Sequence, residues 1–250
     1  MKEVRTHSYP RFIETLRELH TAQKPGAGVP AYTRWVNRRI ARIFAATAVS
    51  LGIGPNGVTA LSAACSIAGL TWLLVTAPST FTGVAAATLF ALGYALDSAD
   101  GQVARVTGVA SPAGEWLDHV IDAMRTPCLH LTAAVGYLRF PEHFLGGGWA
   151  FAWMPLLFAV LGVGHFMSQI LAEQLRRIHE HEASPSGGML RSFMNLHMDA
   201  GTLCWIYLLW GFGTLFVIAY ALLLATHALT TGVSMRRRYL ALSNLPKKES

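Results

Sequence analysis

Four aspartates stand at helical spacing in the middle of the chain. Asp97 and Asp100 are three residues apart, and Asp118 and Asp122 are four apart. If both segments are helical, each pair shares one face. Only a short stretch joins them, so the two helices run antiparallel and side by side, and four carboxylates converge. Left unpaired, such groups repel one another and take up protons. Together they suit hard divalent cations, Mg2+ or Mn2+, which prefer oxygen ligands. Aspartate has one rotatable bond fewer than glutamate, which favours a rigid site. Gly101, Ala104 and Gly114 keep the neighbourhood small, so a ligand can approach the backbone closely. Arg105, one turn beyond Gly101, has two readings: it neutralises a carboxylate, or it grips a phosphate bidentately.

The segments that carry these charges are otherwise apolar, with runs such as GVAAATLFALGYAL and CLHLTAAVGYL. Ionised groups among membrane-depth residues are costly and mark function. Composition agrees. Hydrophobic residues make up 52% of the 250 and charged residues only 14%, against roughly 25% in a soluble domain. Mean hydropathy is +0.37. The pattern predicts an all-α integral membrane protein with six spans of about 20 residues, at about 56–77, 81–105, 115–138, 149–174, 200–212 and 213–235. The last two are separated only by Gly211 and Gly213 around Phe212, and read either as a tight hairpin or as one long kinked span.

Charge placement tests the count. The formal net charge is +6. Basic residues crowd the first 42 positions, the stretch from Arg176 to Arg191, and Arg236, Arg237 and Arg238. With six spans nearly all of them fall on one side, which the positive-inside rule makes cytoplasmic. Both termini and the 106–114 loop are then cytoplasmic, as is the carboxylate cluster. The membrane is read as an inner or cytoplasmic one. Residues 31–52 predict a basic amphipathic helix in the headgroup plane, with Trp35, Ile40, Ile43 and Phe44 at helical spacing among arginines. Residues 1–30 read as a polar segment ending in a Pro/Gly-rich strap, 53–238 as the membrane domain, and 239–250 as a cytoplasmic tail. The opening MKEVRTHSYPRF lacks the apolar core of a cleavable leader.

Basic residues flanking apolar spans point to anionic lipid rather than nucleic acid, and no nucleic-acid motif is present. Cys65, Cys128 and Cys204 each sit in an apolar run and read as buried small hydrophobes. His130 and His165 read as packed polar residues, and Asp199 as a helix N-cap. Arg125 lies one turn beyond Asp122. It can hold a phosphate of a substrate, or simply pair with Asp122.

The segment from Asp97 to Asp122, DSADGQVARVTGVASPAGEWLDHVID, resembles the signature of the CDP-alcohol phosphotransferases, D-x2-D-G-x2-A-R-x8-G-x3-D-x3-D, at every fixed position. Upstream, GPNGVTALS is similar to the Pro-Asn-x-x-Thr start of that family's first span, here Asn56 and Thr59. The resemblance implies a six-helix membrane bundle, commonly a homodimer. It implies transfer of a phosphoalcohol group from a CDP-linked donor, often CDP-diacylglycerol, to a small polar alcohol with release of CMP. Two divalent cations would be held by Asp97, Asp100, Asp118 and Asp122, with Asp122 also the general base. Gly101, Ala104, Arg105 and Gly114, with Asn56 and Thr59, would line the donor pocket. Inositol phosphate and glycerol 3-phosphate lead among acceptors. The rival classes fit less well. A transporter would spread its carboxylates over several helices, and an aspartate-rich prenyltransferase needs a second acidic motif that the C-terminal half lacks. An inactive scaffold would not need the motif intact.

Overall fold

A computed structural model describes residues 8–21, 26, 28–179 and 188–245. The expectations for the first seven residues, for 180–187 and for the last five lie outside it. Among the described residues the protein is all helical, with no strand. The long helices are α3 (Pro55–Val75), α4 (Thr80–Thr107), α5 (Pro112–Arg139), α6 (Trp149–Ile178) and α9 (Gly213–Ser243). Shorter ones are α1 (Ser8–Thr21), α2 (Arg38–Ser50), α7 (Met189–Met194) and α8 (Ala200–Ile206).

Four helices, α3, α4, α6 and α9, are long and apolar enough to cross a membrane. At 28 residues, α5 has about 42 Å of rise, more than a hydrocarbon core of about 30 Å. Its carboxylates and arginines keep it out of the apolar set. The segment expected as a fifth span is the apolar stretch Ala200–Gly211, an α-helix that tightens into a 3-10 turn over Tyr207–Gly211. It rises only about 20 Å. The chain breaks at Phe212 before α9 begins, so the two segments are not one continuous helix. The flanking glycines are there for space: a Cβ on Gly211 would collide with the backbone at Thr80, and one on Gly213 with the carbonyl of His143.

The chain packs as two compact units. One comprises Met1–Gly69, Ala85–Ile121 and Gly187–Trp205; the other comprises Leu70–Val84, Asp122–Ser186 and Ile206–Ser250. In the first, α1 packs on α2. The polar segment ahead of the Pro/Gly-rich strap therefore contains a helix. Phe12, Ile13, Leu16 and Leu19 recur at helical spacing there, and Leu19 joins a core with Ala41, Ala45, Val58, Ala99 and Val103. Ahead of α2, one wide π-helical turn covers Thr33–Asn37. The buried face of α2 is small (Ala41, Ala45, Ala46, Ala48 and Val49), whereas Val36, Ile40, Ile43 and Leu51 face outward. This reverses the pattern of a soluble helix. Asp199 caps α8 as read, accepting from the Gly201 N–H at 3.0 Å. It also accepts from the Thr33 N–H and hydroxyl, each at 2.8 Å, which ties the N-terminal arm to the start of α8.

The second unit has an aromatic core in which Tyr137, Tyr207, Trp210, Phe216 and Tyr220 are all buried. Gly136 lets the Trp210 ring lie against α5. His130 is a packed polar residue, stacked on Phe158 with ring centroids 4.1 Å apart and sharing a 2.5 Å hydrogen bond with the Tyr220 hydroxyl. His165 lies 3.4 Å from the Thr231 hydroxyl. Here α6 packs against α9.

Candidate metal centre

The centre is built in the first unit, where α4 delivers Asp97 and Asp100 and the N-terminal turns of α5 deliver Asp118. Pro112 opens α5 at a position where its missing N–H costs nothing. The Ser111 hydroxyl accepts from the Gly114 N–H at 3.1 Å, one of the orphan donors of that first turn. Gly108 adopts φ 69° in the connection, a left-handed conformation that glycine takes without a side-chain clash. The result is a short reversal that brings the first turns of α5 back to the Asp97–Asp100 turn of α4.

Carboxylate oxygens of Asp97, Asp100 and Asp118 all lie within 4.8 Å of one another. Asp100 is 5% exposed. Its Oδ2 accepts from the Thr59 hydroxyl at 2.6 Å and its Oδ1 from the Gly101 N–H at 2.5 Å. Asp97 and Asp118 are partly exposed, so solvent reaches the cluster from one side. Three oxygen donors this close, one of them buried, make a donor set that fits a hard divalent cation. Nitrogen and sulfur ligands, which softer metals prefer, are missing from this group.

Residues expected around the donor pocket come together here in part. Asn56, on the first turn of α3, has its Oδ1 3.8 Å from where a Cβ on Gly114 would stand. A Cβ on Gly101 would stand 3.3 Å from an Arg105 nitrogen, so this glycine leaves room for the guanidinium. Arg105 interacts electrostatically with both Asp100 and Arg38. Thr59, expected at the donor, donates to Asp100. Asp122 belongs to the second unit, where Arg125 donates to its Oδ1 in an ion pair three residues along the helix. That arrangement is the second of the two readings of Arg125.

Some neighbours were not legible as site residues. His119 stands 3.8 Å from Asp118 and 3.9 Å from Glu115; its spacing of four from Glu115 was the available signal. Arg38 was read only as part of a basic interfacial face, yet its carbonyl oxygen accepts from Gln102 of α4 at 3.4 Å. Burial holds its guanidinium below the ordinary range; Tyr94 opposes this shift, and Arg34 adds to it. Beside it, Asn37 donates to the Ser98 hydroxyl at 2.6 Å. These contacts pin the N-terminal arm to the stretch of α4 from Ser98 to Gln102, on either side of Asp100.

Four apolar helices long enough to cross a bilayer, with three aspartates drawn together where α4 meets α5, point to a membrane protein with a donor set that fits a metal. The family is then specific: residues 53–233 match the family model for CDP-alcohol phosphatidyltransferase, and the chain belongs to that family. It is thereby a member of a transferase family of phospholipid biosynthesis. No curated protein matches the chain.

Proposed function

We propose that the protein transfers a phosphatidyl group from CDP-diacylglycerol to a small polar, phosphorylated alcohol, releasing CMP. The observation that carries this reading is the trio of aspartates at the junction of α4 and α5, set in a chain of this family. Asp97, Asp100 and Asp118 hold divalent cations, with Asp122, one turn further along α5, as the fourth ligand residue. Two Mg2+ or Mn2+ ions bound there supply charge neutralisation for the diphosphate and for the departing CMP.

The chain's own residues do the rest. Gly101, Ala104 and Gly114 leave space for the CDP moiety, with Asn56 at its edge, and Arg105 offers two parallel donors to a phosphate. Asp122 accepts the proton of the acceptor hydroxyl. The hydroxyl oxygen bonds to the phosphorus that carries the diacylglycerol, and the bond from that phosphorus to the bridging oxygen breaks. CMP leaves with the bridging oxygen and the electron pair. Arg125, paired with Asp122, steers the base and receives the acceptor's phosphate through its remaining face.

The same reading extends to the membrane. Six crossings, with the short Ala200–Gly211 segment as the fifth, are supported by the one-sided distribution of arginines. The outward aliphatic stripe of α2 supports its lying in the headgroup plane among anionic lipids. The centre then opens to the cytoplasm, where polar acceptors arrive, while the lipid donor enters from the bilayer. The protein works as a homodimer in a cytoplasmic membrane, as its family commonly does.

Release of CMP from CDP-diacylglycerol by purified protein tests the reading. Activity should depend on Mg2+ or Mn2+, vanish in EDTA and return on re-addition, with an acceptor screen naming the alcohol. Full activity after exhaustive chelation would sink it, as would a failure to release CMP with every acceptor offered.

A further inference from the structure

Thr59 belongs to the Pro-Asn-x-x-Thr start of α3, and the sequence placed it with the donor. Thr59 is 4% exposed, and its hydroxyl lies 2.6 Å from Asp100 Oδ2 and 3.1 Å from the Pro55 carbonyl one turn back. A hydroxyl has one proton to give. The carboxylate takes it: that contact is shorter by half an ångström, and a charged acceptor makes the stronger hydrogen bond. The Pro55 carbonyl is the fallback that any threonine inside a helix can find.

We propose that Thr59 is a positioning residue for the metal centre. By donating to Oδ2 while the Gly101 N–H holds Oδ1, it fixes the rotamer of the most buried of the three aspartates and aims that carboxylate's remaining lone pairs at the cation. Among the described residues no further hydrogen bond holds Asp100, and the two neighbouring carboxylates push it away. The hydroxyl comes from a different helix, so the contact also sets the start of α3 against the turn of α4 that carries two ligands. Partners of this kind orient ligating groups, and removing one costs about 10–100-fold in metal affinity. The inference rests on the metal-centre reading above and adds a role that the reading does not require.

Mn2+ binding, followed by electron paramagnetic resonance on detergent-purified full-length protein, tests it. Thr59→Val keeps the branched shape and removes the hydroxyl, and should weaken Mn2+ binding by about 10–100-fold. Thr59→Ser restores the donor and should bind within about threefold of wild type. CDP affinity at saturating Mn2+ should be unchanged in both, because the hydroxyl is not spent on the nucleotide. If the valine variant does not fold, as judged by helical content and a monodisperse elution profile, Thr59→Ala replaces it in the same comparison. Wild-type Mn2+ affinity in the valine or alanine variant would overturn the proposal. So would a loss of CDP binding at saturating Mn2+, which would return Thr59 to the donor pocket. If wild-type protein itself bound no Mn2+, the metal-centre reading would fall first and this inference with it, so the two failures are told apart.

Discussion

Replacing Asp97 by asparagine should move stability in opposite directions with and without metal. The substitution keeps the size of the side chain and removes one charge from the trio. Oxygens of the three carboxylates lie within 4.8 Å of one another. Two unit charges at that separation repel by about 3.5 kcal/mol at an effective dielectric near 20. Asp97 takes part in two such pairs, roughly 7 kcal/mol if all three carboxylates were charged, and proton uptake by the crowded, metal-free carboxylates lowers this. Solvent around Asp118, whose side chain is 34% exposed, and mobile counter-ions cut this several-fold, to about 1–2 kcal/mol. For a chain of this length, that raises the melting temperature in EDTA by about 2–8 °C. With Mg2+ the sign turns. A cation at a hundredfold excess over its Kd stabilises the wild type by about 2.7 kcal/mol, and the variant, short of one ligand, loses most of that gain. Thermal unfolding in detergent, followed by intrinsic fluorescence with EDTA and with a Mg2+ series, reads both arms. The variant should be the more stable protein in EDTA and the less stable one in Mg2+. A variant less stable in both, or one with a full wild-type response to Mg2+, refutes the reasoning.

Asp122→Asn should leave Mn2+-dependent CDP binding within a few-fold of wild type while lowering transfer by about 100-fold or more, as expected for loss of a general base; transfer at the wild-type rate would exclude that role. Arg125→Ala should raise the acceptor KM with the donor KM unchanged. A joint loss of metal binding and both substrates would leave Arg125 only as the ion-pair partner of Asp122. Gly136→Ala should destabilise by about 1–3 kcal/mol through overpacking, because the new methyl group meets the buried Trp210 ring; an unchanged melting temperature would show that the ring can move aside. In a cysteine-free background, single cysteines in the 106–114 loop and beyond Arg238 should label only from the cytoplasmic side, and one placed near Gly147 only from the other. Labelling of the last two from the same side would rule out six crossings.

The site was legible because its geometry is mostly local. Residues three and four apart on a helix must share a face, and a short connection must bring α5 back beside α4, so the convergence of Asp97, Asp100 and Asp118 follows from spacing. The pairing of Arg125 with Asp122 was also within reach, as one of two readings, because it too is a contact along one helix. The contact of Thr59 with Asp100 was not legible: the two lie 41 residues apart, and spacing carries no information on which way a buried hydroxyl turns. The same holds for Asn37 on Ser98 and for Thr33 on Asp199. Helix α1 was missed because its four apolar residues are interleaved with charge, and the Pro/Gly-rich stretch after it dominated the reading. The segment after Asp199 was assigned from hydropathy alone, which reports how apolar a stretch is and not where its backbone tightens into a 3-10 turn.

The distribution of bulk on α2 has a consequence for how this helix tolerates change. Ala41, Ala45 and Ala46 are fully enclosed, and no larger side chain fits without pushing neighbouring backbones apart. On the other side, Ile40, Ile43 and Leu51 are exposed, and exchange among aliphatic side chains there disturbs the packing less. A saturation-mutagenesis map of this helix should therefore look inverted beside that of a soluble one. Its intolerant stripe would be the one that rejects size, and its permissive stripe would accept almost any hydrocarbon. The alanines act as spacers: they set how close the arm comes to α4, and so how firmly it braces the turn that carries Asp97 and Asp100.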